Sequence, residues 1–190
     1  MMKRKFLLSV TALALCAALL AGCGGSSSST ASNAQSTAPA SSADAGSGAR
    51  TAENGTVDLD AIVSQLLETN PISNQFEIAA MNIEYDFGLA AEDVTAYKGV
   101  RSNDNGDAGL VLVIQPAAGK SEAICEQLQT YKQDQVAFYG NYAEFGQAQS
   151  NVENAVISGR DDLVVMVIAS NESTGDISGA VDSVMDQYAQ

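Results

Sequence analysis

Between Gly24 and Thr56 the chain has no aromatic and no large aliphatic residue; it is almost entirely Ser, Ala, Gly, Thr and Asn. A stretch of that kind cannot bury enough apolar surface to offset the entropy of ordering it. Folding is therefore confined to Val57–Gln190, which is long enough for one ordinary hydrophobic core and too short for two typical domains. The expected organisation is a segment over 1–22, a tether over 23–56 and a single domain over 57–190. About 30 residues of such a linker have a root-mean-square reach of roughly 30 Å.

The first 22 residues divide into a basic stretch, Lys3-Arg4-Lys5, an uncharged apolar run from Phe6 to Leu20, and the small residues Ala21 and Gly22 before Cys23. That is the three-part layout of a secretory signal. The run falls short of the roughly 20 residues that a helix needs to cross a bilayer. Leu20-Ala21-Gly22-Cys23 resembles the lipobox of bacterial lipoproteins. The resemblance implies cleavage before Cys23 and a diacylglycerol on its thiol, with a further N-acyl chain. A single acyl chain anchors only marginally and stable anchoring takes two signals, so the lipids implied would hold the protein at the cell membrane on its extracytoplasmic face.

Removing Lys3, Arg4 and Lys5 from the nine basic residues leaves six against 23 acidic ones, a formal charge of −17 after cleavage. Such a charge opposes binding to nucleic acid or anionic lipid. The acidic residues are spread along the chain, as suits solubility, and form no cation-binding run. Cys16 lies in the signal and Cys23 is the lipid site, which leaves Cys125 alone; neither a disulfide within the domain nor a cysteine metal site can form. There is no histidine anywhere, which removes Ser-His-Asp and Cys-His catalysis and imidazole ligands. We expect no catalytic residue, no metal and no cofactor.

Three helices are expected. Leu59, Ile62, Val63, Leu66 and Leu67 share one helical face, with Asp58 or Asp60 as cap and Asn70-Pro71 as the stop. Ile124, Leu128, Tyr131 and Phe138 mark a middle helix between Ser121 and Gly140. Ile177, Ala180, Val181, Val184, Met185 and Tyr188 mark the last, with Asp182, Asp186 and Gln187 largely off the stripe.

Two hairpins lie between them. Val94–Ser102 and Leu110–Gln115 flank Asn103-Asp104-Asn105-Gly106-Asp107, while Asn154–Ser158 and Leu163–Ala169 flank Gly159-Arg160-Asp161-Asp162. The runs 110–114 and 163–168 are apolar on both faces, which suits inner strands. The fold class is therefore α+β, a four-stranded, mainly antiparallel sheet in the order α-ββ-α-ββ-α. Strand order 1-2-4-3 buries both apolar runs.

Several residues invite a functional reading. Asn103 to Gly106 alternates oxygen ligands before a glycine, but aligning Gly106 with the glycine of a calcium loop puts Arg101 and Leu112 at the essential acidic positions. A hairpin turn is the better account. Phe138, Tyr139, Tyr142 and Phe145 put four of the ten aromatics after the signal into eight residues. We expect Phe138 to close the middle helix while Tyr142 and Phe145 staple the next loop to the core. The alternative is a partner surface at Tyr139, Tyr142 and Phe145. Glu84 and Asp86 are read as solvated charges, not as a catalytic pair, and Cys125 as a packed helix cysteine whose neighbours Glu122 and Glu126 would raise its pKa. The triplets at Asn54 and Asn171 match a glycosylation acceptor, yet in a bacterial chain they are chance.

Phe87-Gly88-Leu89-Ala90-Ala91-Glu92-Asp93-Val94, the Tyr142 loop leading to Val152–Ile157, and the hairpin Ser158–Ala169 are similar to a family of clostridial exported lipoproteins known as domain of unknown function 4358. That family usually opens its second strand with an acidic Glu-Ile-Ala type stretch, where this chain has Gly109-Leu110-Val111, so a role tied to that glutamate does not carry over. The resemblance implies an extracytoplasmic domain with no established activity. The expected function is a non-enzymatic binding or accessory module for a protein or cell-envelope partner, the alternative being a small-ligand receptor or sensor lipoprotein. A two-lobed receptor needs a cleft between two domains, for which Val57–Gln190 is short.

Overall fold

A computed structural model describes residues 57–190. The expected signal over 1–22, with the proposed lipobox residues Leu20, Ala21 and Gly22, the expected lipid site Cys23 and the expected tether lie outside the described residues.

Helix α1 (Leu59–Thr69) starts at Asp58, whose carboxylate accepts the Ala61 N–H at 3.0 Å and so satisfies one orphan donor of the first turn. It stops at Asn70, which is fully buried. The Asn70 amide donates to the Ile168 carbonyl at 2.9 Å and its oxygen accepts from Ser170 N–H at 2.8 Å, clamping the helix end to a strand a hundred residues away. Strand β1 (Gln75–Glu77) and helix α2 (Ala80–Tyr85) follow, then β2 (Val94–Ser102) and β3 (Leu110–Pro116). The long helix α3 (Ser121–Gly140) leads to α4 (Gly146–Glu153), the hairpin β4 (Val156–Arg160) and β5 (Leu163–Ile168), and α5 (Ile177–Tyr188).

The sheet is antiparallel throughout, in the order β1-β2-β3-β5-β4. The four expected strands stand in the expected order. The expectation of four strands is corrected to five, because β1 adds an edge beside β2 over only three pairs, Gln75 to Ser102 through Glu77 to Val100. Helices α2 and α4 are likewise additions to the α-ββ-α-ββ-α scheme. The second hairpin turns later than expected: Gly159 and Arg160 extend β4, pairing with Val164 and Leu163, and only Asp161-Asp162 remain as the turn.

Successive strand residues point to opposite faces, and both faces of β3 and β5 are covered. Leu110, Leu112, Ile114, Val164, Met166 and Ile168 pack under α2, α3 and α4 with Ile83, Phe87, Ile124, Leu128 and Val152. Val111, Val113, Val165 and Val167 pack under α1 and α5 with Ile62, Leu66, Val181 and Val184. The result is three layers with a core on each side of the sheet. Full burial of each such aliphatic side chain contributes about 1.5–3 kcal/mol.

Candidate functional site

The buried stripe of α3 is confined to Ile124 and Leu128, so its later turns rise away from the sheet. Tyr131 reaches inward to 4.6 Å from Phe87, and Tyr139 also packs against the core from further along the helix. Beyond Tyr131 the aromatic cluster builds a closed ring of contacts. Phe138 meets Tyr139 (5.1 Å between centroids) and Tyr142 (5.7 Å), and Phe145 meets the same two tyrosines at 5.9 and 5.4 Å. All four pairs are tilted or edge-on, as the ring quadrupoles prefer.

Phe138 stands in the last turn of α3, as expected, with its ring 51% exposed, whereas the expectation that Tyr142 is stapled to the core is corrected, because it is 45% exposed. In the last turns of α3 Val136 and Tyr139 face the core, which leaves Phe138 on the outer side. Of the three residues named as an alternative partner surface, Tyr142 is exposed and Tyr139 and Phe145 are half-buried.

Facing this ring is the turn between β2 and β3. Gly106 adopts φ +78, and a β-carbon there would come within 3.0 Å of the Phe145 ring; glycine satisfies both the backbone conformation and the contact. The turn is held from both sides. Asn74 accepts the Asn103 N–H through its carbonyl and donates its amide to Asp104 Oδ1 at 2.8 Å. On the other side Asn171 donates its amide to the Gly106 carbonyl at 3.1 Å and accepts from Asn151 of α4. Between turn and ring lies a cleft of about 410 Å³, lined by the residues of the turn and by Arg101, Tyr131, Gln135, Phe138, Tyr139 and Phe145.

Arg101 sits at the inner end. Its guanidinium donates to Asp86 Oδ2 at 2.9 Å and lies 4.8 Å from the centre of the Phe76 ring, an ion pair and a cation–π contact at once. Asn82 donates to the same carboxylate oxygen and accepts the Ala79 N–H, which fixes the start and end of α2. Burial pushes the Tyr131 phenol up to about 12, opposed by the positive charge of Arg101. Tyr139 is raised as well, by burial and then by Asp107.

Five large apolar side chains are exposed among the described residues: Phe76 (41%), Met81 (65%), Tyr85 (77%), Phe138 and Tyr142. All five stand on the side of the sheet covered by α2, α3 and α4. Phe76 shares that side because it pairs with Arg101 across β1 and β2. The α1/α5 side exposes none. Sequence reasoning missed Phe76, Met81, Tyr85 and Arg101; Met81 and Tyr85 are one helical turn apart but sit on a six-residue helix, too short for a periodic signal.

The remaining candidates do not converge on chemistry. Glu84 and Asp86 stand two apart at the end of a helix, where side chains do not face each other, and Asp86 is occupied by Arg101. Asn103–Gly106 is a turn, and among the described residues no group of three acidic or cysteine side chains is placed to hold a metal ion. Cys125 is half-buried with its sulfur against Gly159 of β4; burial, then Glu122, raises its pKa. Among the described residues no helix is long and apolar enough to cross a membrane.

No curated protein and no solved structure matches the chain. One family does, over residues 69–169, a span that holds all five strands, the helices of the aromatic side and every residue of the cleft. That span is more than half of the chain, which therefore belongs to the family described as Domain of unknown function (DUF4358).

Proposed function

We propose that the protein is a lipid-anchored, extracytoplasmic, non-enzymatic binding module, related to clostridial exported lipoproteins, which meets a protein partner through the face of α2, β1 and the end of α3. The observation that carries the reading is the one-sided exposure of Phe76, Met81, Tyr85, Phe138 and Tyr142. Aromatic residues, Met and Arg are the types enriched at protein interfaces, and Arg101 stands among them. A small-ligand receptor is the second reading, favoured by a cleft volume within the usual range for such sites. Its lining, which runs from the β2–β3 turn to Phe138 of the exposed set, joins the cleft to the same face and speaks for the first.

Two experiments test the proposal. For the anchor, Cys23→Ala or globomycin treatment leaves an unprocessed precursor that no longer partitions into detergent as a mature lipoprotein; a processed, detergent-phase Cys23→Ala product overturns it. For the face, a photoreactive phenylalanine analogue at Tyr142 or Met81 forms adducts with a protein in intact cells, while the same probe at Gln187 on α5 does not. Equal labelling from both sides, or none from either, rejects the assigned surface.

A further inference from the structure

The partner's chemistry follows from the charge around that face. Residues 57–190 carry five basic and 21 acidic side chains. All five basic groups are engaged: Lys98 with Glu77 and Asp60, Arg101 with Asp86, Lys120 with Asp93, Arg160 with Asp186, and Lys132 with the Ala155 carbonyl. Beside the exposed aromatics Glu77 and Asp86 are paired, with Lys98 and Arg101, while three other carboxylates near them in sequence are not. Glu84 lies beside Tyr85, Asp134 one turn before Phe138, and Glu144 between Tyr142 and Phe145; all three are exposed and none forms an ion pair or a side-chain hydrogen bond among the described residues. Asp104, on the turn across the cleft, adds a fourth negative charge.

We infer that this face docks a partner polypeptide whose contact surface is apolar at its centre and rich in Lys and Arg at its edge. An apolar centre with a charged rim is the ordinary anatomy of a protein interface, and rim charges select partners of opposite sign. Exposed ring faces beside free carboxylates favour cations twice, through the quadrupole and through the charge. A second copy of this chain is a poor occupant, because a two-fold contact sets the same acidic rim against itself. Anionic envelope polymers are repelled for the same reason. The inference rests on the binding-face reading above and adds the sign of the partner.

The test uses the full lipidated chain in neutral maltoside micelles and fluorescein-labelled peptides read by anisotropy: one alternating lysine and serine about a central leucine-tryptophan pair, one with glutamate for lysine. The lysine peptide binds and the glutamate peptide does not. Phe138→Ala/Tyr142→Ala, which alters no charge and no buried side chain, weakens binding by about tenfold or more. Glu84→Gln/Asp134→Asn/Glu144→Gln also weakens it, and Glu68→Gln/Asp182→Asn on the α1/α5 side leaves it nearly unchanged. Equal weakening by the two neutralised sets reduces the attraction to overall charge and overturns the inference. So does displacement of the peptide by muramyl-glycan fragments, which assigns the aromatics to a sugar, and so does failure of the lysine peptide to bind. Adducts at Tyr142 in intact cells together with any of these results reject the charge assignment alone; the absence of adducts rejects the face itself.

Discussion

Asp107 Oδ1 accepts the backbone N–H of Asn171 at 3.0 Å across 64 residues of sequence, while also accepting Gly109 N–H at 3.0 Å within its own turn. One nearly buried carboxylate oxygen thus joins the β2–β3 turn to the loop after β5 and holds the turn against Phe145.

Replacing Asp107 by Ala leaves two N–H donors without their acceptor. The buried Gly109 donor costs about 1–3 kcal/mol when unsatisfied, and the half-buried Asn171 donor costs less because water reaches it. We expect the urea midpoint to fall accordingly, with faster amide exchange at Gly109 and Asn171. Asp107→Asn keeps an oxygen in place and loses less. An unchanged midpoint for the alanine variant means that the turn is held by the Asn74 and Asn171 side chains without it.

Val184 is fully buried in the apolar layer between α5 and the sheet, and the nearby Arg160 is already engaged by the Met185 carbonyl and Asp186. Val184→Asp forces an unpaired charge into that layer at a cost of several kcal/mol, a large share of the about 5–15 kcal/mol that a domain of this size has. The domain unfolds or loses most of its urea resistance by circular dichroism. Asp186, one face away, pairs with Arg160 at the surface, and such pairs are worth about 0–1 kcal/mol. Asp186→Ala therefore shifts the midpoint slightly. Equal midpoints for the two variants mean that α5 does not belong to the core.

Tyr131 supplies a pH dependence. Its phenol ionises near 10.0 when exposed and at about 12 in the fold, so the folded state prefers the neutral form. The stabilisation is complete below pH 10 and is lost as the pH rises toward 12, because the unfolded chain releases its proton first. Tyr131→Phe keeps the ring against Phe87 and flattens the alkaline fall in stability over that window. The slope of the unfolding free energy between pH 10 and 12, measured in both proteins, decides it; identical slopes assign the alkaline transition to other groups.

Cys125 is the one thiol of the folded domain. Its contact with Gly159 and its raised pKa leave little exposed thiolate at neutral pH. Maleimide labelling of a Cys16→Ala/Cys23→Ala chain, in which Cys125 is the one thiol, is expected to be slow in the native state and fast in urea. Equal rates mean that α3 lifts from β4 on the labelling timescale.

Much of the architecture was legible because it rests on periodic patterns that local physics enforces. The i, i+3, i+4 stripes of α1 and α5, the turn residues at 103–107 and the double-sided apolar runs of β3 and β5 each imply one geometry, and together they imply the order of the four long strands. Burying both faces of two strands requires that they be neighbours with helices on either side.

What the sequence could not decide depends on contacts between distant residues. Gln75–Glu77 has no apolar alternation and is exposed along its length; it becomes a strand only because β2 offers an unpaired edge. Gly159 and Arg160 read as turn residues, yet pairing with β5 and the close approach of Cys125 make them extended. Helices α2 and α4 are too short to show a period, and α2 is fixed by Asn82 and by the Arg101–Asp86 pair. The aromatic cluster shows the distinction most sharply. Its four residues are plain in the sequence, but which rings are core and which are surface depends on how the end of α3 and the loop after it pack on the layer beneath, with Tyr139 turned inward and Phe138 outward, and only the tertiary structure determines that.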